Sequence, residues 1–228
     1  TPRNGKVVEI NALWYNALKI MEVLSKKYEK IGKRNLSKKY SSMAEECRES
    51  FNKKFYNGRR KCLYDVIGDG KIRPNQLFAL SLTYPVVEPT SEMASNIINV
   101  VEKKLLNNYG LKTLAKGEKN YVDIYEGDGF RRDASYHQGI TWPWLLGLYY
   151  NSLRNMKVFE KDKEKKKELT TKIEELKVRT EKTFKKEIKE SGCIGSISEL
   201  YDSKSPYLPK GAIAQGWSVA EVFRIIFG

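Results

Sequence analysis

The spacing of apolar residues is the feature that most constrains the fold of this chain. Apolar side chains recur at three- and four-residue steps in about seven separate segments, and the alternation typical of strands is scarce. The first of these stripes contains Ile10, Leu13, Trp14, Ala17, Leu18, Met21 and Leu24. With 228 residues, of which 40% are hydrophobic, the chain is long enough to bury a core. The sequence therefore predicts an all-α globular domain.

Two kinds of predicted helix alternate along the chain. Some are amphipathic and densely charged, such as the one expected at about 161–190. Others are preceded by short segments rich in aromatic and polar residues, namely Glu9-Ile10-Asn11 with Trp14-Tyr15, Arg73-Pro74-Asn75-Gln76, Tyr136-His137-Gln138 with Trp142, and Ala214-Gln215-Gly216-Trp217-Ser218. In a toroid of helical hairpins, the inner helices present such openings around one pocket, where the helix N-termini supply free N–H donors.

The segment 136–148 is the strongest candidate for a functional site. It contains the sole histidine, His137, and two of the four tryptophans. Pro143 favours a first helical turn, because its ring fixes φ and the missing N–H has no partner at that position anyway. The residues from Trp144 to Tyr150 carry no charge, which predicts a helix buried on most of its circumference. We therefore expect a polar loop held at the mouth of a buried helix.

Capping residues and glycines suggest several boundaries. We expect Gly32 to end the first helix, Ser37 to cap the second and Asn57-Gly58 to close it. The segments 107–138 and 193–211 are predicted to be long polar loops, and loops of this length in a compact domain are usually functional or disordered.

The charge of the chain raises a nucleic-acid hypothesis. The net charge is +14, from 42 Lys and Arg against 28 Asp and Glu. The lysines, however, are spread over helices and interleaved with Glu, which is typical of solvated helix faces. Binding to nucleic acid stays an alternative, which salt-sensitive binding to DNA would support. No run of about 18 uncharged apolar residues is present, so no transmembrane helix is predicted.

The cysteines and glycines indicate neither a metal nor a cofactor. Cys47, Cys62 and Cys193 are odd in number and far apart, which supports neither a zinc site nor a disulfide framework. A reducing cytoplasm is the simplest setting. The glycine pairs around Asp69 and Asp128 match no dinucleotide or phosphate-loop pattern.

The residue types at the helix openings are those of a sugar pocket. Tryptophan and tyrosine stack on the apolar faces of pyranose rings, while amides, arginine and carboxylates bond the hydroxyls. Glycoside hydrolysis needs two carboxyl groups, one on each side of the scissile bond. Glu199 is the best candidate, although an exposed loop acid explains it equally well. Asp133 and Glu9 are weaker, because Asp133 can pair with a neighbouring arginine and Glu9 can bond sugar hydroxyls or cap the first helix.

Several segments, in the same order along the whole chain, resemble the C-terminal catalytic domain of the glycogen debranching enzyme family, the amylo-α-1,6-glucosidase part of the archaeal and bacterial kind. They are Thr1-Pro2-Arg3 with Gly5-Lys6, Val8 to Leu18, Arg73-Pro74-Asn75-Gln76, Tyr136-His137-Gln138-Gly139 with Trp142-Pro143-Trp144, Ser198 to Asp202, and Ala214 to Glu221. The resemblance implies an (α/α)6 barrel, a glycogen or branched malto-oligosaccharide substrate, and an inverting mechanism without a cofactor.

The resemblance also implies roles for individual residues. Glu199 is expected to be the general base. The residues expected to line the sugar subsites are Glu9, Asn11, Trp14, Arg73, Asn75, Gln76, Tyr136, His137, Gln138, Trp142, Gln215 and Trp217. The alternatives are another (α/α)6 enzyme, similar to a glucoamylase, trehalase or phosphorylase, and a glucan-binding domain without catalysis.

One departure from the family pattern concerns the general acid. The resemblance implies that the general acid is an aspartate just upstream of the segment matching Thr1-Pro2-Arg3. This aspartate is therefore expected to lie outside this sequence. A complete (α/α)6 barrel also needs more helices than the number predicted here. We therefore expect residues 1–228 to be the C-terminal portion of a single catalytic domain, a partial barrel with little activity alone. Self-association through the open flank of that barrel is a further hypothesis.

Overall fold

The computed structural model describes residues 3–29 and 36–228, and this part of the chain is mainly helical. The predicted end of the first helix at Gly32 and the residues Thr1 and Pro2 lie outside the described residues. The helices are α1 (Val8–Glu29), α2 (Ser37–Phe55), α3 (Phe78–Ser81, directly after a 3-10 helix at Pro74–Leu77), α4 (Glu92–Lys104), α5 (Gly129–Ser135), α6 (Leu145–Phe159), α7 (Lys163–Glu190) and α8 (Gly216–Phe227).

The long helices form two layers. Helices α1, α3, α6 and α8 contact one another in that order and make the inner layer. Helix α2 packs on α1, and α7 packs on both α6 and α8, so these charged helices form the outer layer together with α4. Inner and outer helices therefore alternate along the chain, as the sequence predicts for part of a toroid.

Side-chain caps mark the starts of three helices. The side chains of Ser91, Asp128 and Asp162 each accept a hydrogen bond from a backbone N–H in the first turn of α4, α5 and α7 respectively. The predicted cap at Ser37 is wrong by one position, because Leu36 occupies the cap and α2 begins at Ser37. Helix α6 begins at Leu145, directly after Pro143 and Trp144.

Short strands lie between the helices, and the five that connect the two long loops form a sheet that the sequence does not predict. A hairpin joins β1 (Tyr56–Asn57) to β2 (Cys62–Leu63), so α2 ends at Phe55 and not at Gly58 as expected. A second, fully antiparallel sheet contains β3 (Leu106–Asn107), β4 (Gly110–Lys112), β5 (Thr141–Trp142), β6 (Leu200–Tyr201) and β7 (Pro209–Lys210), in that order. Thr141 pairs with Tyr201, and this brings the segment 136–148 beside Glu199.

The core lies between the two layers, and one flank of the inner layer is apolar and open. Helix α6 is buried on most of its faces, as its uncharged sequence predicts. Helices α1 and α8 instead expose large apolar side chains, namely Ile10, Leu13, Trp14, Ile20, Met21, Val23, Leu24 and Tyr28 on α1, and Trp217, Phe223 and Phe227 on α8. Among the described residues, no helix combines the length and the apolarity that a membrane span requires.

Candidate active site

A pocket of about 350 Å³ lies where the 3-10 helix, α6 and α8 begin. It is lined by Arg3, Arg73, Pro74, Asn75, Thr113, His137, Trp142, Trp144, Leu145 and Trp217. Five of these were expected from the sequence as sugar-binding residues: Arg73, Asn75, His137, Trp142 and Trp217. The structure brings these five together from three separate parts of the chain.

Aromatic rings form one wall of this pocket. Trp217, in the first turn of α8, stacks on Trp144 with ring centroids 5.3 Å apart and meets Trp142 edge-on at 5.9 Å. The His137 ring stacks on the other side of Trp142 at 5.8 Å. Trp142 is buried, whereas Trp217 is 46% exposed. Flat, partly exposed rings of this kind suit the apolar face of a pyranose.

Arg73 lies on the polar side of the pocket, and hydrogen bonds to two backbone carbonyls fix its side chain. Its NH1 donates to the carbonyl oxygens of Thr113 (3.0 Å) and His137 (2.6 Å). Its NH2 donates to Oε1 of Gln138 at 2.9 Å. Burial lowers the pKa of the Arg73 guanidinium from its usual value. The guanidinium therefore connects the 3-10 helix to the loop that carries His137.

Gln76 and Gln138, two amides predicted to bind sugar, form hydrogen bonds with protein groups beside the pocket. The buried Gln76 donates to the carbonyl of Arg73 at 2.9 Å and accepts from the amide of Leu63 at 3.3 Å. Gln138 accepts from Arg73. Neither side chain lines the pocket.

A buried aspartate that sequence reasoning missed lies behind Arg3 and Asn75. Asp65 is 2% exposed and accepts from Arg3 Nε at 2.7 Å, from Arg3 NH2 at 3.0 Å and from Asn75 Nδ2 at 2.9 Å. Glu9 binds the same guanidinium through Arg3 NH1 at 2.5 Å and NH2 at 2.8 Å. Burial raises the pKa of Asp65, and the hydrogen bond from Asn75 and the nearby arginines oppose that rise.

Glu199 lies in the wall of a neighbouring polar cleft, and Tyr136 contacts both its carboxylate and a tryptophan of the aromatic pocket. The Tyr136 hydroxyl donates to Glu199 Oε1 at 2.5 Å, and the amide of Ala212 donates to Oε2 at 3.0 Å. The Tyr136 ring meets Trp142 edge-on at 4.8 Å. Burial, followed by the hydrogen bond to Glu199, raises the pKa of Tyr136. Tyr136 therefore connects the carboxylate to the aromatic wall.

Helix α5 and the small sheet position this pair. Asp128 caps α5, and Tyr136 follows its last residue with its amide bonded to the carbonyl of Arg132 at 2.9 Å. Glu199 directly precedes β6, and its amide donates to the carbonyl of Ala212 at 2.9 Å. The exposed Asp133 also lines the polar cleft, together with Tyr125, Glu126, Arg132, Lys210 and Gly211.

Three other expected residues lie elsewhere. Asn11 and Trp14 line a separate cavity between α1 and α2, and the Asn11 side chain donates to the carbonyl of Val7 at 2.7 Å. Gln215 occupies the cap position of α8, where its amide donates to the carbonyl of Ile197 at 2.9 Å, and it lines neither the pocket nor the cleft. Their roles as sugar ligands stay predictions.

The pocket favours the neutral form of His137, although the residue stays accessible to solvent. Burial of its ring is the main cause that lowers its pKa, and Arg73 and Arg3 lower it further. A neutral imidazole can both donate and accept a hydrogen bond, which suits a sugar hydroxyl. In the described part of the chain no three His, Cys, Asp or Glu side chains are grouped as a metal site would require.

Comparisons with known proteins place this geometry in a family. The family model described as amylo-alpha-1,6-glucosidase matches residues 1–224. The chain is 25% identical over 190 residues to the glycogen debranching enzyme of Saccharomyces cerevisiae, a match that covers 68% of this chain and 12% of the yeast protein. The chain therefore spans a small part of that relative.

Two solved structures share the fold. One is a sialidase, with a TM-score of 0.65, 16% identity, and coverage of 92% of this chain and 18% of that one. The other is a GH63 mannosylglycerate hydrolase from Thermus thermophilus solved in complex with Tris, with a TM-score of 0.59, 11% identity, and coverage of 96% and 44%. At these identities the likeness concerns the fold, and it confirms the predicted partial (α/α)6 barrel. Because the family model extends over nearly the whole chain, the protein belongs to the amylo-alpha-1,6-glucosidase family of glycoside hydrolases.

Proposed function

We propose that this chain forms the catalytic part of an amylo-α-1,6-glucosidase, which hydrolyses α-1,6-linked glucose at the branch points of glycogen or branched malto-oligosaccharides. One observation carries the proposal. A carboxylate, Glu199, is hydrogen-bonded to Tyr136, and the ring of Tyr136 packs on a tryptophan of an aromatic pocket that fits a sugar ring.

In the proposed mechanism Glu199 is the general base of an inverting hydrolysis. Its carboxylate takes a proton from a water molecule as the water attacks the anomeric carbon, while an acid protonates the leaving oxygen on the other face. The two carboxyl groups of inverting enzymes are about 6.5–9.5 Å apart, which leaves room for the water. The hydrogen bonds from Tyr136 and Ala212 fix the orientation of the base.

The general acid is proposed to be the aspartate expected upstream of Thr1. In support, no carboxylate of the described residues lines the aromatic pocket. Asp133 stays the weaker alternative, because it lies exposed at the polar cleft and not at the pocket.

We further propose that the chain acts as the C-terminal portion of one catalytic domain in a longer polypeptide. Support comes from the 12% of the yeast relative that the match spans.

The exposed apolar side chains of α1 and α8 are the surface through which we propose that the isolated chain associates with itself. A cytoplasmic setting is consistent with the free thiols of Cys47, Cys62 and Cys193.

Glu199→Gln in the complete enzyme tests the proposal. We expect the release of glucose from a branched dextrin to fall by at least about a thousandfold, which reflects loss of the base, with binding of malto-oligosaccharides retained. Glu126→Gln is the matched control, because Glu126 is an exposed carboxylate on the same cleft. NMR of the first product should show β-glucose, the inverted anomer.

The outcomes separate the proposal from its rivals. Undiminished hydrolysis by Glu199→Gln removes the base role from Glu199. Retained binding with no hydrolysis by the complete wild-type enzyme favours a glucan-binding domain. Equal or faster cleavage of linear substrates favours an enzyme similar to a glucoamylase.

A further inference from the structure

The aromatic pocket carries two permanent positive charges in its wall. Arg3 and Arg73 line it, and His137 beside them is the third titratable group of the lining. Guanidinium groups are strong ligands for phosphate and carboxylate, which they bind through paired hydrogen bonds. Two guanidinium groups without carboxylate partners in a pocket of this size would favour an anionic ligand over a neutral one.

Two carboxylates of the protein, those of Asp65 and Glu9, form ion pairs with these guanidinium groups. Asp65 Oδ2 lies 2.7 Å from Arg3 Nε and 3.7 Å from Arg73 Nε, so one oxygen faces both arginines. Glu9 takes the remaining side of Arg3 at 2.5 Å. Two positive charges are therefore balanced by two negative charges, and neither carboxylate lines the pocket itself.

Asp65 is the central member of this cluster. Its carboxylate is buried, and it also accepts from Asn75, another residue of the pocket wall. Its backbone carbonyl accepts from the amide of Val8, in the first turn of α1. The aspartate therefore joins the segment before α1 to the 3-10 helix, and it fixes the side chains of Arg3 and Asn75 from behind.

We propose that Asp65, assisted by Glu9, is a positioning residue that cancels the charge of the two arginines and thereby restricts the aromatic pocket to uncharged sugars. The inference rests on the proposed sugar-binding function of this pocket. Arg3 and Arg73 then present hydrogen-bond donors to hydroxyl groups without acting as an anion site.

The test compares a neutral and an anionic sugar. Asp65→Asn keeps the size of the side chain and removes its charge. By calorimetry at low salt, the wild-type chain is expected to bind maltotriose and to bind glucose 1-phosphate much more weakly. Asp65→Asn is expected to gain at least about tenfold in affinity for glucose 1-phosphate, a gain that shrinks with added salt because mobile ions screen the exposed charge.

Asp69→Asn is the matched control. Asp69 lies four residues further along the chain, is partly exposed and pairs with Lys71 at 2.8 Å away from the pocket lining. Its charge acts on Arg73 only from a distance, so Asp69→Asn is expected to leave maltotriose binding unchanged and to raise the affinity for glucose 1-phosphate far less than Asp65→Asn. An Asp65→Asn chain that melts cooperatively but binds glucose 1-phosphate no better than the wild type overturns the inference.

A second variant and a second readout keep the test decisive. If Asp65→Asn does not fold, Glu9→Gln takes its place, since Glu9 is only partly buried and touches Arg3 from the outer side; a gain of the same sign is expected, and its absence overturns the inference. His137 is the sole histidine of the sequence, so its NMR titration is assigned directly, and its pKa should fall further when Asp65 loses its charge. Failure of the wild type to bind maltotriose counts against the proposed function, whereas the change in phosphate affinity is read independently.

Discussion

The hydroxyl of Tyr136 donates a 2.5 Å hydrogen bond to Glu199 Oε1, and the ring of the same tyrosine packs edge-on against Trp142. The carboxylate and the aromatic pocket thus share one side chain. The carbonyl of Tyr136 also accepts from Trp142 Nε1 at 3.2 Å, so the backbone and the ring both hold this tryptophan. A sugar that displaces Trp142 would therefore also move Tyr136 and, through its hydroxyl, the Glu199 carboxylate.

Tyr136→Phe removes one of the two hydrogen bonds to the Glu199 carboxylate. Without this donor only the amide of Ala212 still orients the carboxylate. We expect kcat of the complete enzyme to fall about tenfold, because a poorly oriented base transfers the proton less efficiently. Tyr125→Phe is the control, because the Tyr125 ring lies 5.8 Å from Tyr136 without bonding Glu199. An unchanged kcat in Tyr136→Phe contradicts the link.

Gly211→Ala should displace the Glu199 carboxylate. A Cβ at Gly211 would clash with Glu199 Oε2, and its φ of +71° adds strain. We expect kcat to fall about a hundredfold, since misplacement of a reacting group by about 1 Å is that costly. Gly195→Ala has a similar φ of +85° with no atom within 4 Å, so it should cost about 1 kcal/mol of stability and leave kcat unchanged. Equal kcat in both variants would show that this contact does not position Glu199.

The tryptophans offer a test of which rings meet the sugar. Trp217 belongs to the pocket, whereas Trp14, 52% exposed, lines the cavity between α1 and α2. We expect Trp217→Phe to remove most of the maltotriose-induced change in fluorescence and to weaken binding by about 1 kcal/mol, the usual contribution of an aromatic pair. Trp14→Phe should retain the change. The reverse pattern would restore Trp14 to the place that sequence resemblance gave it.

His137 gives the stability of the chain a defined dependence on pH. Its pKa is lowered in the folded state and is about 6.5 in the unfolded state, so the unfolded state binds more protons once the pH falls below that value. The contribution of His137 to stability is therefore present above about pH 6.5 and is lost as the pH falls towards the lowered pKa. The free energy of unfolding measured at pH 7.5 and 5.5 should fall less in His137→Gln than in the wild type. The comparison isolates the histidine, since Asp65 and Asp202, whose pKa values burial raises, remain in both proteins.

The helices were predictable because their signals are local. Thr90 or Ser91 reads as the cap of the fourth helix, and Ser91 takes that position. The uncharged run after Trp144 reads as a buried helix, which the structure confirms. Helix α5 was missed, although Asp128 is its cap, because its seven residues lack an apolar stripe. The five-stranded sheet was missed because strands of two or three residues show no alternation.

The site was predictable only where residues of suitable chemistry sit at helix openings. Arg73 and Trp217 were found in this way, and both line the pocket. Asp65 was missed because its role depends on contacts with Arg3, 62 residues away in sequence. A signal did exist, because Asp65 is the one acid in the otherwise apolar stretch 62–67, and a buried carboxylate needs a charged or hydrogen-bonding partner.

The most direct test of the central claim is a structure of the complete enzyme carrying Glu199→Gln with a bound branched malto-oligosaccharide. We predict one glucose ring against Trp142 and Trp217, with its hydroxyls near Arg73 and its anomeric carbon facing residue 199 across a water molecule. Sugar bound outside this pocket, or an anomeric carbon that faces away from residue 199, would contradict the proposed role of Glu199.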